Sequence, residues 1–395
     1  MKIAIMGLGT IGGGVEILLR GRPDISVKRI FTRHIPAEFA ALDSSLETIL
    51  QDPEIDTVVE TLGGVEPVHT WLCEAIRAGK NVVTANKAVV AAHYRELAEL
   101  AAEHGAAFRF SAAVGGGIPW LTGLEQIKRA DKIDALGGIM NATCNLILSR
   151  MIRNGRTFAE ALAEAQAEGY AERDPSADID GLDARRKLLI SANTAFDCVQ
   201  PEESVPAFGI RHLHPEDLEA AAVRHCTVRL SNRAFREEDG RIRILTAPVF
   251  VPLDDPEAAV WDCGNRLWCQ AARGGLYSFG GIGAGRFSTA QSVVQDLLDI
   301  KEKTPERPVF YQKGFAPAVP DNRGWMTRWY VRDAAGNRIT EWRDTAEFAR
   351  EIQARLAAGE PVFTALIACP SALPGGSRTS GTAAPAAPAA APPQA

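Results

Sequence analysis

The 395-residue chain has no apolar run of about twenty residues, the length a membrane-spanning helix needs, so no membrane partner is expected. It has no basic run either, and a net charge of −6 argues against nucleic acid as a main partner. Its seven cysteines, Cys73, Cys144, Cys198, Cys226, Cys263, Cys269 and Cys369, contain no CxxC pair. Odd in number and scattered, they predict reduced thiols rather than a disulfide frame or a zinc site. No charged leader or cleavage signal stands between Met1 and the first apolar strand, which predicts a cytoplasmic location. What remains, 46% hydrophobic and 23% charged residues, is an ordinary globular composition at a length that fits two domains and something smaller.

The chain opens with KIAIMGLGTIGGGVEILLRG, a short apolar strand running through Gly7, Gly9 and Gly12 into an amphipathic helix. Glycines at this spacing permit a tight turn and close backbone approach to a pyrophosphate. Thr10, Ile11 and Gly12 then offer free N–H groups at the positive end of the helix dipole. GxGxxG alone is weak, but strand, glycines and helix in this order predict dinucleotide binding over a merely tight turn. The second strand, ISVKRIFTRH, ends near Thr32 and Arg33, where an NAD site usually places Asp or Glu for the ribose 2′-OH. Arg33 suits a 2′-phosphate instead, so NADP is the preferred cofactor, with NAD the alternative if Arg33 is only a solvated loop residue.

DTVVETLGG and NVVTANK add two strands, flanked by helical periodicity over 68–78 and 88–103. Strands alternating with such helices predict a parallel, doubly wound sheet. Thr61, Gly63 and Gly64, and Thr84, Asn86 and Lys87, fall at the carboxyl ends of these strands, where an open parallel sheet binds its ligand. Lys87 either simply begins a helix or contacts cofactor phosphate or a substrate carboxylate. A fifth strand, AAFRFSAAV, leads into Gly115, Gly116 and Gly117. Further on, ALGGIMNATCNLILSRMI reads as a strand, a polar loop of Asn141, Thr143 and Asn145, and a helix. Thr157 and Glu160 form a capping box for a helix over 158–168 that Gly169 closes.

The stretch that follows, GYAERDPSADIDGLDARRK, sets Glu172, Asp174, Asp178, Asp180 and Asp183 among turn formers. A helix entered near Gly181 carries Asp183 and Lys187 on one face at i,i+4 spacing. By itself this is compatible with a solvated loop and a surface ion pair.

GLGTIGGG, DPEIDTVVETLGG, GKNVVTANKAVVA, AVGGGIPW, GIMNATCNLILSRM, GYAERDPSADIDGLDARRKL and GIGAGRFSTAQSV together resemble homoserine dehydrogenase, in that family's order over roughly residues 1 to 300. The resemblance implies reversible NAD(P)H-dependent reduction of L-aspartate 4-semialdehyde to L-homoserine, on the route to threonine, methionine and isoleucine. It implies Lys187 as catalytic lysine, assisted by Lys87 and Asp183. It implies Gly169, Glu172, Asp178, Asp183 and Thr143 as substrate contacts, Thr61, Gly63, Lys87 and Gly283 beside the glycine loop as cofactor contacts, and a homodimer built on the second domain's sheet. The residue types suit the chemistry: carboxylates for the substrate ammonium, a lysine beside the developing alkoxide.

Three features depart from that family. Ser111 stands where a glutamate usually helps bind a monovalent cation. The carbonyls of Val114, Gly116 and Ile118 remain as candidate ligands, but the missing carboxylate argues against the ion. Ala142 and Cys144 replace an expected Gly and Thr, and Cys144 is read as an apolar filler rather than a nucleophile. Beyond the core, 306–369 reads as a short ββαβ extension, with a hairpin of 326–333 and 338–342 about AAGN, a helix over 345–357 and a strand over 361–367. That is not a full threonine-sensing ACT domain.

The expected fold class is thus α/β, a Rossmann-type doubly wound parallel sheet with an inserted α+β substrate and dimerisation domain. The dinucleotide-binding domain takes residues 1–135, completed by about 280–305; the second takes 136–280, with strands around TVRLSNRAF, RIRILTAPVFVPL and NRLWCQAA. Residues 370–395, rich in Ala and Pro, are expected to be a disordered tail. His212, His214 and His225 are read as ordinary surface or core histidines, without a carboxylate spacing that would make them metal ligands. A dehydrogenase for another small semialdehyde and a non-catalytic NAD(P)-binding sensor are the alternative functions.

Overall fold

A computed structural model describes residues 1–198, 201–303 and 320–367. Five parallel strands, β1 (Lys2–Met6), β2 (Ser26–Phe31), β3 (Thr57–Glu60), β4 (Asn81–Thr84) and β5 (Phe108–Arg109), form a sheet in the order β2-β1-β3-β4-β5. Between them run α1 (Thr10–Leu19), α2 (Leu46–Gln51), α3 (Val68–Arg77) and α4 (Lys87–His104). Alternation along the strands sorts the two faces. Ile3, Ile5, Val59 and Val83 pack with Val15 of α1, while Ala4, Met6, Val58 and Val82 pack with Leu72 and Val89 of α3 and α4. The reversal of strand order beside β1 leaves a crevice at the strands' carboxyl ends. The fifth strand is two residues long rather than nine. Past Arg109 the chain turns into a 3-10 segment, Ser111–Ala113, that leads to the triple glycine.

Next come α5 (Trp120–Ala130), β6 (Ile133–Ile139), α6 (Ala142–Asn154), α7 (Phe158–Ala167), α8 (Ser176–Ile179), α9 (Leu182–Phe196) and α10 (Pro215–Ala222). Strands β7 (Cys226–Arg236), β8 (Ile242–Pro252), β9 (Gly264–Ala271) and β10 (Gly275–Ile282) follow, then α11 (Arg286–Lys301). The polar loop expected after β6 is mostly helix: Asn141 accepts the N–H of Cys144 at 2.8 Å on its side chain and starts α6 at once, so Thr143 and Asn145 lie in the helix. The capping box of Thr157 and Glu160 is formed. The acidic stretch is not wholly loop either, because α8 inserts one helical turn.

The last segment holds β11 (Met326–Thr327), β12 (Trp329–Asp333), β13 (Gly336–Ile339), β14 (Arg343–Asp344), α12 (Thr345–Ala357) and β15 (Phe363–Ile367). Its hairpin is tighter than expected. β12 pairs with β13, whereas β11 pairs with β14 in a separate ribbon. β15 lies parallel to β8 and completes a mixed sheet of order β10-β9-β6-β7-β8-β15-β12-β13. The expected extension therefore widens the second sheet. The part of it in 304–319, and the tail from 370 to 395, lie outside the described residues.

Two long-range packings position the site. α11 returns to the parallel sheet and lies against α1; a Cβ on Gly14 would come within 2.9 Å of the Arg286 carbonyl oxygen and 3.1 Å of the Ala290 side chain. α9 packs against α4 and α5 on one side and against β6, β7 and β8 on the other, buried from Lys187 to Phe196. The hydrophobic area removed from water along this helix is what holds the two sheets together.

The C-terminal hairpin is fastened by charge. Asp217, fully buried at the start of α10, accepts from Tyr330 Oη at 2.9 Å and Arg332 Nε at 2.8 Å, and also caps the His214 N–H at 2.7 Å. Removing the cation leaves a buried carboxylate without its partner. Arg332→Met is expected to lower stability by about 3–5 kcal/mol, read as a lower urea midpoint at unchanged m-value; a loss below ~1 kcal/mol would mean the pair is solvated.

Candidate active site

At the carboxyl edge of the parallel sheet, Gly7 adopts φ +96° and donates its N–H to the Phe31 carbonyl at 2.8 Å, so the glycine turn is fixed to the end of β2. Thr61 Oγ1 donates to the Gly7 carbonyl at 2.8 Å. A Cβ on Gly12 would sit 2.0 Å from that same oxygen, whereas nothing lies within 4 Å of one on Gly9. The first requirement is close helix–strand packing; the second leaves open space over the loop. Gly9 caps α1 without a side-chain bond, so the N–H groups of Thr10, Ile11 and Gly12 face that space with no acceptor from their own helix. These features fit a dinucleotide pyrophosphate. Arg33, just past β2, is exposed, and no hydrogen bond or ion pair is recorded for it among the described residues.

The neighbouring strand ends are held by a residue that the sequence reasoning passed over. Glu60, fully buried, accepts from the N–H groups of Leu62 at 2.7 Å and Gly63 at 3.1 Å and from Thr84 Oγ1 at 2.5 Å. Burial raises its carboxyl above the ordinary range, against the pull of these donors. Thr84 is its register partner on β4, and Asn86 donates to the Gly64 carbonyl at 2.7 Å while capping α4. Lys87 is thereby the first residue of α4 and reaches off the sheet edge. An acid closing an otherwise apolar strand, TVVE, was the available signal.

Lys87 Nζ lies 3.0 Å from Asp183 Oδ1, and Lys187 Nζ lies 2.8 Å from Asp183 Oδ2. Lys187 also donates to the Met140 carbonyl at 2.9 Å. Asn141 Nδ2 donates to Asp183 at 2.8 Å and to Asp178 at 2.6 Å. Burial works to raise the Asp183 carboxyl, but the ammonium groups of Lys187 and Lys87, with the Asn141 amide, outweigh it and hold the group well below the carboxylate range. Burial and the negative Asp183 raise Asp178. Asp183 raises the Lys87 ammonium, against burial. Asp183 and Lys187 are thus a buried pair rather than a solvated surface one, joined by Lys87 from α4, Asn141 at the start of α6 and Asp178 of α8.

Of the other candidates, Thr143 Oγ1 donates to the Tyr170 carbonyl at 2.9 Å and so ties α6 to the loop after α7, where Gly169 has φ +79°. Glu172 is exposed; its carbonyl accepts from Gln166 at 2.9 Å, and its carboxylate has no partner among the described residues. Cys144 is fully buried, donates to the Asp178 carbonyl at 3.2 Å, and is pushed well above the usual thiol range by burial, which suits a filler and not a nucleophile. Gly283 abuts the triple glycine: a Cβ on Gly116 would come within 2.8 Å of the Gly283 carbonyl carbon.

Around the candidate cation loop, Ser292 Oγ donates to the Gly116 carbonyl at 2.6 Å and the Trp120 N–H to that of Ile118 at 2.7 Å; Val114 is fully buried. A carboxylate is present after all, supplied from α11: Asp296 accepts from Ser111 N–H at 2.9 Å and Ser111 Oγ at 2.7 Å. The Gly116 and Ile118 carbonyls thus each accept one donor of the chain itself, and no step is routed through a cation.

Two family models match: the homoserine dehydrogenase NAD-binding domain over residues 7–111 and homoserine dehydrogenase over 119–298. This chain belongs to the homoserine dehydrogenase family. The Bacillus subtilis homoserine dehydrogenase is 34% identical over 76% of this chain and 72% of its own, and the Synechocystis one 38% identical over 76% and 73%. The crystal structure of a Thiobacillus denitrificans homoserine dehydrogenase superposes with a TM-score of 0.82 at 29% identity, covering 93% of this chain and 98% of that one. A hyperthermophilic archaeal homoserine dehydrogenase in complex with NADPH gives 0.67 at 25%, covering 78% and 99%. The chain is an NAD(P)-dependent oxidoreductase with a small-molecule substrate. Among the described residues no helix is long and apolar enough to cross a membrane.

The Ser111 contact sets a pH dependence. Burial pushes the Asp296 carboxyl up to about 7 from an ordinary 3.8, against the donors of Ser111 and the charge of Arg109. A folded-state value above the unfolded one gives stability that is complete below the unfolded value and lost as pH rises through the folded one. Urea unfolding of the wild type is expected to weaken between pH 4 and 8, by up to about 4 kcal/mol from this group. Asp296→Asn, whose Oδ1 still accepts the Ser111 N–H while its Nδ2 donates to Ser111 Oγ, should flatten that decline; identical slopes in the two proteins would assign it to other groups.

Proposed function

We propose that the chain catalyses reversible NAD(P)-linked oxidation of L-homoserine to L-aspartate 4-semialdehyde, with Lys187 as acid and base. One observation carries the assignment of roles. Lys187 Nζ spends two of its three hydrogens on Met140 and Asp183, which leaves the third for a substrate oxygen. A nicotinamide cofactor, held by the loop from Gly7 to Gly12 and by Thr61, Gly63 and Lys87, would supply the hydride chemistry at the carbinol carbon. In reduction Lys187, as the ammonium, gives its third hydrogen to the alkoxide and is left as the neutral amine; in oxidation that amine takes the hydroxyl proton as the C–O double bond forms. Asp183 orients Lys187 and shares its charge with Lys87, so both ammonium groups stay beside the oxygen where charge develops. Asp178, held by Asn141, and the exposed Glu172 are the carboxylates for the substrate ammonium, with Thr143 and the backbone at Gly169 shaping that side.

The cofactor contacts fall to the loop from Gly7 to Gly12, to Thr61, Gly63 and Lys87, and to Gly283 at the turn before α11. Arg33 is the contact for a 2′-phosphate, and NADP the preferred cofactor over NAD. The full set of Lys87, Asp183 and Lys187 at ion-pair distance favours an enzyme over a binding-only sensor. Buried Cys144 offers no group to a different semialdehyde. β10, the edge of the mixed sheet, leaves Leu276 and Ile282 exposed, which supports a homodimer through this sheet.

Lys187→Met is expected to slow homoserine oxidation by about 10²–10⁴-fold while NADP binding, followed by fluorescence of the reduced cofactor, stays near wild type. Turnover at the wild-type rate would remove Lys187 from the chemistry. Arg33→Ala should lower kcat/KM for NADP by roughly 10–100-fold and leave that for NAD nearly unchanged; an equal loss for both would place Arg33 away from the 2′-phosphate.

A further inference from the structure

α3 and α4 pack side by side, and their facing surfaces gather residues that the Asp183 cluster does not use. His69 and Cys73 lie at i,i+4 on α3, and His93 and Glu96 at i,i+3 on α4. At His93 the backbone leaves helical geometry, with φ −128° and ψ 20°. His69 Nε2 is 3.4 Å from Cys73 Sγ and 3.1 Å from Glu96 Oε2. Its other nitrogen, Nδ1, is 3.0 Å from Glu66 Oε1. His93 Nδ1 approaches Glu96 Oε2 at 3.3 Å, and its ring stacks on that of His69 with centroids 3.6 Å apart.

An ion-pair network accounts for a protonated His69 between Glu66 and Glu96, but not for the rest. Cys73, 3% exposed, directs its sulfur at the same nitrogen as the Glu96 carboxylate. One nitrogen, one sulfur and one carboxylate oxygen thus converge within 4.8 Å of one another, the nitrogen 3.4 Å from the sulfur and 3.1 Å from the oxygen, close to the edges of a tetrahedral shell. With ligand bonds of about 2.0–2.3 Å, the edges of such a shell are roughly 3.3–3.6 Å. Glu66 on Nδ1 fixes the tautomer that leaves Nε2 free to coordinate, as a carboxylate behind a metal-bound histidine does.

We propose that His69, Cys73 and Glu96 form a three-ligand site for a thiophilic divalent cation of the zinc class, completed by water, with Glu66 orienting His69. Coordination replaces the Cys73 S–H bond with a sulfur–metal bond and releases one proton to solvent, with no change of oxidation state. The ion fastens α3 to α4, the helix whose first residue is Lys87. Chain spacing does not announce such a site, because two of its ligands come from α3 and the third from α4.

The test uses the full chain, stripped with a chelator and titrated with Co²⁺ and then Zn²⁺. One equivalent is expected to bind, with a thiolate-to-cobalt charge-transfer band in the near ultraviolet that Zn²⁺ displaces and that strengthens as pH rises. Cys73→Ser should abolish the band. Glu66→Gln should keep it and weaken binding by about 10–100-fold, with circular dichroism confirming that both variants are folded. No stoichiometric binding by the wild type, or a band that survives in Cys73→Ser, overturns the proposal.

Discussion

The structure depends on a single carboxylate held between two ammonium groups. Asp183 is buried, and it stays ionised only because Lys187 from its own helix and Lys87 from α4 both face it, with Asn141 satisfying a further lone pair. Desolvation alone would drive it to the neutral form. Because Lys87 starts a helix of the parallel sheet and Asp183 lies at the start of the helix buried against the mixed sheet, the same contact joins the two sheets at the candidate site. Loss of Asp183 leaves the buried Lys187 ammonium without its carboxylate and removes the contact with Lys87 as well.

Two other buried carboxylates do comparable work on backbone. Glu60 collects the N–H groups after β3 and the hydroxyl at the end of β4, which sets the rim at the carboxyl ends of these strands. Asp296 reaches from α11 to Ser111 and fixes the start of the triple-glycine loop. Both are raised by burial, the reverse of Asp183, because neither has a lysine in contact. The contrast is between carboxyls shifted upward by burial and one held down by neighbouring ammonium groups.

Much of the fold was legible where the governing rule is local. Gly7 and Gly12 are required by a positive φ and by a close approach, and the motif records both. The capping box at Thr157 and Glu160 and the helix over 345–357 follow from side chains meeting their own backbone within a turn. Where the reading failed, a neighbour distant in sequence had decided the outcome. β5 is short because the chain must turn to reach α11 through Ser111, and β11 leaves the hairpin because Arg343 and Asp344 offer it another partner.

By itself the sequence determined the elements, their order, the glycine cradle and the i,i+4 pair of Asp183 and Lys187, because helical and strand periods act over a few residues. Only the tertiary structure decided that this pair is buried, that Lys87 closes on it, that Asp296 supplies a carboxylate opposite Ser111, and that His69 and Cys73 meet Glu96. Each of these is a contact between side chains on separate elements. Its distance is set by how helices pack on sheets, and no local spacing in the chain encodes that.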